Sequence, residues 1–164
     1  MHQFSSWKTP TSFLVCVFCV AGTMASPAQT FQTLANFNGA NGYAPQTEMY
    51  LVQGLDGNLY GTTVGGGQYG QGIVFKITST GNLTPLYSFC SKSDCADGYQ
   101  PNAGLIQGTD GNFYGTTTFG GVSSSACSDV SPPGCGTVFK ITPAGKLTTL
   151  HRFHLTTAAT PTEG

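Results

Sequence analysis

Charge is scarce in this chain. Charged side chains make up 8% of its 164 residues and the formal net charge is -1, against about 25% charged residues in ordinary soluble domains. Solubility must come from neutral polar side chains. The lysines Lys76, Lys92, Lys140 and Lys146 are scattered, so there is no basic patch of the kind that nucleic acid or an anionic membrane requires. No nucleic-acid partner is expected. No stretch keeps a helical period, and the apolar run FLVCVFCV, Phe13 to Val20, is too short to span a bilayer. With Lys8 before it and the small residues Ala21, Gly22, Ala25, Ser26 and Ala28 after it, that run reads as an export signal over residues 1–28, cleaved after Ala25 or Ala28. After its removal no membrane span is expected.

The residues of catalysis are also thin on the ground. Beyond the leader the histidines are His151 and His154, and the acids are Glu48, Asp56, Asp94, Asp97, Asp110, Asp129 and Glu163. They form no paired-acid, acid–histidine or metal-ligand pattern, so no catalytic residue, cofactor or metal is assigned and the chain is expected not to be an enzyme. Loss of the leader leaves Cys90, Cys95, Cys127 and Cys135. An even number in an exported chain points to disulfides, and close spacing favours the local pairs Cys90 with Cys95 and Cys127 with Cys135, although four cysteines permit three connectivities.

What the sequence has in abundance is itself. LVQGLDGNLYGTT, Leu51 to Thr63, returns as LIQGTDGNFYGTT, Leu105 to Thr117, with ten of thirteen positions identical. GIVFKITSTGNLTPLYSF, Gly72 to Phe89, returns as GTVFKITPAGKLTTLHRF, Gly136 to Phe153. Repetition on this scale marks a supersecondary unit that stacks on copies of itself.

Each copy divides into four short strands between turn signals: about 47–53, 58–63, 72–78 and 83–89 in the first unit, and 103–107, 112–118, 136–142 and 146–153 in the second. The dipeptides Asp56-Gly57 and Asp110-Gly111 are expected to supply positive backbone dihedrals for tight hairpins, with Asn58 and Asn112 tolerating similar geometry. Pro85 places the fourth strand at a sheet edge, and Gly61 and Gly115 mark close approach of neighbouring backbone or of a bulky residue. Tyr60 and Tyr114 are expected to pack. The fold class is all-β: tandem four-stranded antiparallel blades, a partial β-propeller-like array and a fragment of a longer one, since two units cannot close a ring. FQTLANF, Phe31 to Phe37, echoes LTPLYSF and LTTLHRF and reads as the outer strand of a further blade.

The order DGNLYGTT, the pairs Gly66-Gly67 and Gly120-Gly121, GIVFKIT or GTVFKIT, then LYSF or LHRF resembles the bacterial tandem repeat known as the GloVer repeat, from about Phe31 to Phe153. The resemblance implies an exported protein of propeller-like repeats, often ending in surface-anchoring segments, and it brings no catalytic residues. The D-G-N-hydrophobic-Tyr segment is also loosely similar to NHL and gluconolactonase-like propeller blades. The organisation that follows is a leader at 1–28, an outer strand and loop at 29–45, unit 1 at 46–89, an inter-blade loop at 90–104, unit 2 at 105–153 and a truncated tail at 154–164.

Variation gathers at one end of the units. Ten extra residues lie between Thr117 and Gly136 and carry Cys127 and Cys135, while Cys90 and Cys95 decorate the inter-blade loop on the same end. Tyr69, Tyr99 and Phe119 in these loops are candidate ligand contacts, with rings suited to sugar faces; Tyr99, like Tyr43, belongs to the repeated GYxP and is also read as a packing residue. The expected function is an exported, non-enzymatic scaffold or binding surface for surface carbohydrate or protein, localised outside the cell, in the periplasm or on the cell surface. Self-association through open blade edges is a further expectation. The alternative is a fragment of a metal-dependent lactonase-like or hydrolase-like propeller.

Overall fold

The computed structural model describes residues 30–45, 50–122, 127 and 133–154. The expected leader and the tail beyond His154 lie outside the described residues. Among the described residues no helix is long and apolar enough to cross a membrane. Met1–Phe31 group as one unit, of which only Thr30 and Phe31 are described, and Gln32–Gly164 group as a second, compact unit.

The second unit is all-β. Strands β1 (Val52–Gln53), β2 (Leu59–Thr63), β3 (Ile73–Ile77) and β4 (Leu83–Ser88) form sheet 1 in the order β1-β2-β3-β4. Strands β5 (Ile106–Gln107), β6 (Phe113–Thr117), β7 (Thr137–Ile141) and β8 (Leu147–Arg152) form sheet 2 in the same way. All pairs are antiparallel and the registers correspond: Gly61 faces Phe75 as Gly115 faces Phe139. Pro85 lies on the edge strand β4, where no ladder donor is missed. The outer strands β4 and β8 each carry a bulge. Val74 pairs with Tyr87 and Phe75 with Pro85, leaving Leu86 as the extra residue, and Leu150 has that place in β8.

Two local expectations need correction. The expected strand 103–107 shrinks to Ile106–Gln107, because the Ala103 carbonyl accepts a bond from Thr62 Oγ1 at 3.2 Å and Gly104 backs onto the Tyr50 backbone. The turns differ too. Gly57 N–H donates to Gly54 O at 2.9 Å and Gly54 N–H to Asn58 O at 2.8 Å, and in this loop only Gly57 has a positive φ, +78°. This is a three-residue loop closed by a glycine bulge, rather than a two-residue turn with both centres left-handed. The loops at Gly108–Gly111, Thr78–Gly81 and Thr142–Gly145 repeat it.

The Asp and Asn of the motif therefore serve side-chain chemistry more than backbone dihedrals. Asp56 Oδ1 accepts from Asn58 N at 3.2 Å, and its Oδ2 accepts from Asn58 Nδ2 and Tyr60 OH, both at 2.7 Å. Asp110, Asn112 and Tyr114 make the same set at 3.1, 2.6 and 2.8 Å. The tyrosine hydroxyl fastens each hairpin tip to its own second strand.

Packing runs between the sheets. The back face of sheet 1, with Tyr60 and Val74, meets the front face of sheet 2, with Phe113, Phe139 and Ile141, in one apolar core that also takes in Phe89, Tyr99 and Leu105. Tyr60 stacks on Phe113 at 4.0 Å between ring centroids. Gly61 and Gly115 hold the aromatic layer down: a Cβ at either would lie 2.6 Å from Cζ of Phe75 or Phe139.

The front face of sheet 1 has its own cover. Ala35 and Phe37 pack on Ile73, Phe75 and Ile77. Segment 32–37, expected to be an outer strand, forms no strand here. It nevertheless holds that strand's seat. Phe37 meets Phe75 edge-on at 5.1 Å, as Phe89 meets Phe139 at 5.2 Å. The carbonyl of Leu34 crowds Gly81 as that of Leu86 crowds Gly145. Segment 32–37 thus stands to sheet 1 as the outer edge of sheet 1 stands to sheet 2.

Candidate functional site

The loop that follows β4 is built around a buried carboxylate. Asp97 is fully buried, and its Oδ2 accepts from Tyr87 OH at 2.7 Å, Ser91 Oγ at 2.9 Å and Ser91 N at 3.0 Å. Its Oδ1 accepts from Lys92 N at 3.3 Å. A buried charge that gathers this many donors fixes the loop in one arrangement. Burial foremost, and then the bond to Asp97, push the Tyr87 hydroxyl up from 10.0 to about 12. Tyr87 therefore stays a neutral donor at any physiological pH.

The Cys90–Cys95 disulfide closes the same loop, and Cys127–Cys135 is also formed, so both local pairs are the ones in place. Cys90 and Cys95 both have positive φ, 64° and 48°, a strained backbone for residues with a Cβ that the surrounding contacts must hold. Those contacts lie within the loop and reach sheet 2: the Cys95 carbonyl accepts from Gly98 N at 2.8 Å and Gly121 N at 3.0 Å, and the Ala96 carbonyl accepts from Arg152 Nε at 2.8 Å.

Beside this loop lies an open groove of about 300 Å3, lined by Gln68, Tyr69, Pro85, Leu86, Tyr87, Ser88 and Ser91. The edge strand β4 supplies its floor and the β2–β3 loop one wall. Ser88 Oγ ties that wall down by accepting from Gln68 N at 3.2 Å. Two tyrosine rings and a proline ring alternate with amide and hydroxyl groups. Such a surface offers apolar faces for stacking and polar atoms for hydroxyl recognition.

Of the three aromatic contacts expected from sequence, Tyr69 lines this groove and is 44% exposed. Tyr99 is buried, at 3% exposure, and belongs to the inter-sheet core. Its backbone pairs with that of Phe119, and the two rings lie 5.4 Å apart. Tyr99 is thus a packing residue, in keeping with its GYxP context, and Phe119 is half-buried against it. Neither lines the groove. His151 and His154 are exposed, and His151 sits edge-on to Phe153 at 5.0 Å.

Sequence reasoning passed over Tyr87, Ser91 and Asp97. A signal for them was present. Where the second GYxP is preceded by Asp97 the first is preceded by Asn41, and Asn41 orders its shorter loop in a parallel way, its Oδ1 accepting from Asn38 N at 2.8 Å. An anchoring oxygen before GYxP is a constant of the design, and the Tyr87 hydroxyl answers it only in the longer loop.

No curated protein matches the chain. The blocks DGN, Tyr-Gly-Thr-Thr and VFKIT, which build the hairpin lock, the glycine seat and the third strand of each sheet, recur within residues 21–164, and over that span the sequence matches the Gloeobacter/Verrucomicrobia repeat: the chain belongs to that repeat family.

Proposed function

We propose that this chain is an exported, non-enzymatic repeat module that binds carbohydrate of a cell surface or matrix in the groove beside Tyr69 and Tyr87, on a propeller-like scaffold. The observation that carries the reading is the groove itself: aromatic and proline rings interleaved with Gln68, Ser88 and Ser91, on a loop pinned by a disulfide and a buried carboxylate. A rigid wall loses little entropy when a sugar docks. The two disulfides support export, because such bonds persist in oxidising compartments. Self-association of the module through open β-structure is part of the same reading.

The test is a glycan array with the full chain, followed by calorimetry on any hit with wild type and Tyr69→Ala. Binding that weakens about tenfold or more in the variant, the loss expected for an aromatic stacking contact, supports the assignment. Binding unaffected by Tyr69→Ala places the ligand elsewhere, and silence across the array leaves a structural role. Stoichiometric, tightly held calcium or zinc in the purified protein would instead favour a hydrolase-like module.

A further inference from the structure

The back face of sheet 2 repeats the back face of sheet 1 residue for residue. Ile106, Tyr114 and Val138 correspond to Val52, Tyr60 and Val74 in sequence and in ladder register. In sheet 1 that face is the apolar half of the inter-sheet core. In sheet 2 it bounds a groove of about 250 Å3 lined by Ile106, Tyr114, Thr116 and Val138, with Ile106 69% exposed. Phe153, the counterpart of the fully buried Phe89, is 44% exposed. A surface so similar to one already buried in the molecule has its partner's shape written in that interface: Phe113 on Tyr60, and Phe139 against Phe89.

We propose that this face binds the front face of sheet 1 of a second copy of the chain, in a head-to-tail contact. In the new interface Leu59 of the second copy lies over Tyr114, as Phe113 lies over Tyr60, and Phe75 of the second copy receives Phe153. The seat of Phe153 is already occupied in the second copy, by Phe37. The sequences of the two occupants agree where contact is made: Thr33, Leu34 and Phe37 correspond to Thr149, Leu150 and Phe153. Segment 33–37 is therefore a self-supplied stand-in for β8 of a neighbour, and assembly exchanges one for the other. The contact is heterologous, so copies add in one direction until a ring closes. This deepens the self-association reading above and rests on it.

The experiment is sedimentation velocity on the full chain over a wide concentration range, with Ile106→Asp and Phe37→Ser, together with oxidation of the double variant Leu59→Cys, Tyr114→Cys. Ile106 is exposed, so its variant is expected to fold, as checked by circular dichroism. Wild type should associate with rising concentration. Ile106→Asp should weaken association about tenfold or more, and Phe37→Ser, by vacating the seat, should strengthen it. The double cysteine variant should give a ladder of covalent multimers on a non-reducing gel. Monomer at all concentrations in every variant overturns self-association as a whole. Association indifferent to Ile106→Asp and Phe37→Ser overturns this face alone. Covalent dimers from Tyr114→Cys by itself, without a ladder from the pair, would show a back-to-back contact and overturn the head-to-tail one.

Discussion

Sheet 1 and sheet 2 carry nearly the same sequence and the same ladder, yet their back faces differ. Tyr60, Thr62, Val74 and Phe89 are buried, whereas Tyr114 and Val138 are half-buried and Thr116 and Phe153 exposed. The hairpin locks, by contrast, are alike: Tyr60 to Asp56 at 2.7 Å and Tyr114 to Asp110 at 2.8 Å. What is local to a unit repeats faithfully; what is buried depends on the neighbour. That is the nearest-neighbour physics of stacked repeats, in which intrinsic and interface terms are separable.

The largest test of this separation is a pair of truncations. Tyr60→Ala removes a fully buried ring stacked on Phe113 and should cost about 3–5 kcal/mol, the range for buried aromatics. Tyr114→Ala loses a similar hydroxyl bond but a ring that is only half-buried, and should cost less, about 1–2 kcal/mol. Denaturant unfolding at low protein concentration measures both. Equal costs would mean that the interface contributes nothing beyond the unit.

A smaller contrast lies at the glycines. A Cβ at Gly61 or Gly115 meets a phenylalanine Cζ at 2.6 Å and a leucine Cδ2 at 2.9 Å, so alanine at either should destabilise by about 1–3 kcal/mol through overpacking. The leucines differ, however: Leu51 is exposed and can swing aside, while Leu105 is buried. Gly115→Ala should therefore be the worse of the two by thermal melting, and the reverse order would disconnect the cost from the inter-sheet core.

The smallest contrast is in pH. Burial, and then the bond to Asp56, raise Tyr60 from 10.0 to about 12. A raised pKa means stability that is complete below pH 10 and is lost as pH climbs toward 12. At the other end, the Tyr60 and Asn58 bonds hold Asp56 below 3.8, and the Asn112 and Tyr114 bonds hold Asp110 below 3.8. Their contribution is present above pH 3.8 and disappears as pH falls through the depressed values. Tyr60→Phe should flatten the alkaline limb of a stability–pH curve, and an unchanged limb would remove Tyr60 from the account.

Most of the architecture was legible because the repeat gives two readings of each element. Alternation in IVFKI located β3, Pro85 located an edge, and Gly61 marked a close approach, which the ring of Phe75 makes. The turn geometry was less legible, since Asp-Gly suits both a two-residue turn and a glycine bulge, and only the backbone bonds decide between them. Segment 32–37 was recognised by its resemblance to the outer strands, but a resemblance in side chains does not supply a ladder partner, and it packs without pairing. Tyr69, picked out as a candidate contact from its place in the β2–β3 loop, lines the candidate groove. Tyr87 and the buried Asp97 that it bonds were passed over, because their contact spans ten residues and its one trace in the sequence is the polar residue before each GYxP.

The most direct measurement is native-state amide hydrogen exchange, comparing β3 with β7 at a concentration low enough to keep copies apart. Strand β3 lies in a sheet covered on its front face by segment 32–37 and on its back face by sheet 2, whereas among the described residues β7 lies in a sheet covered on its front face alone. Slower exchange across Ile73–Ile77 than across Thr137–Ile141 is the predicted result. Equal protection, or greater protection in β7, would contradict the claim that each sheet draws its stability from the sheet beside it.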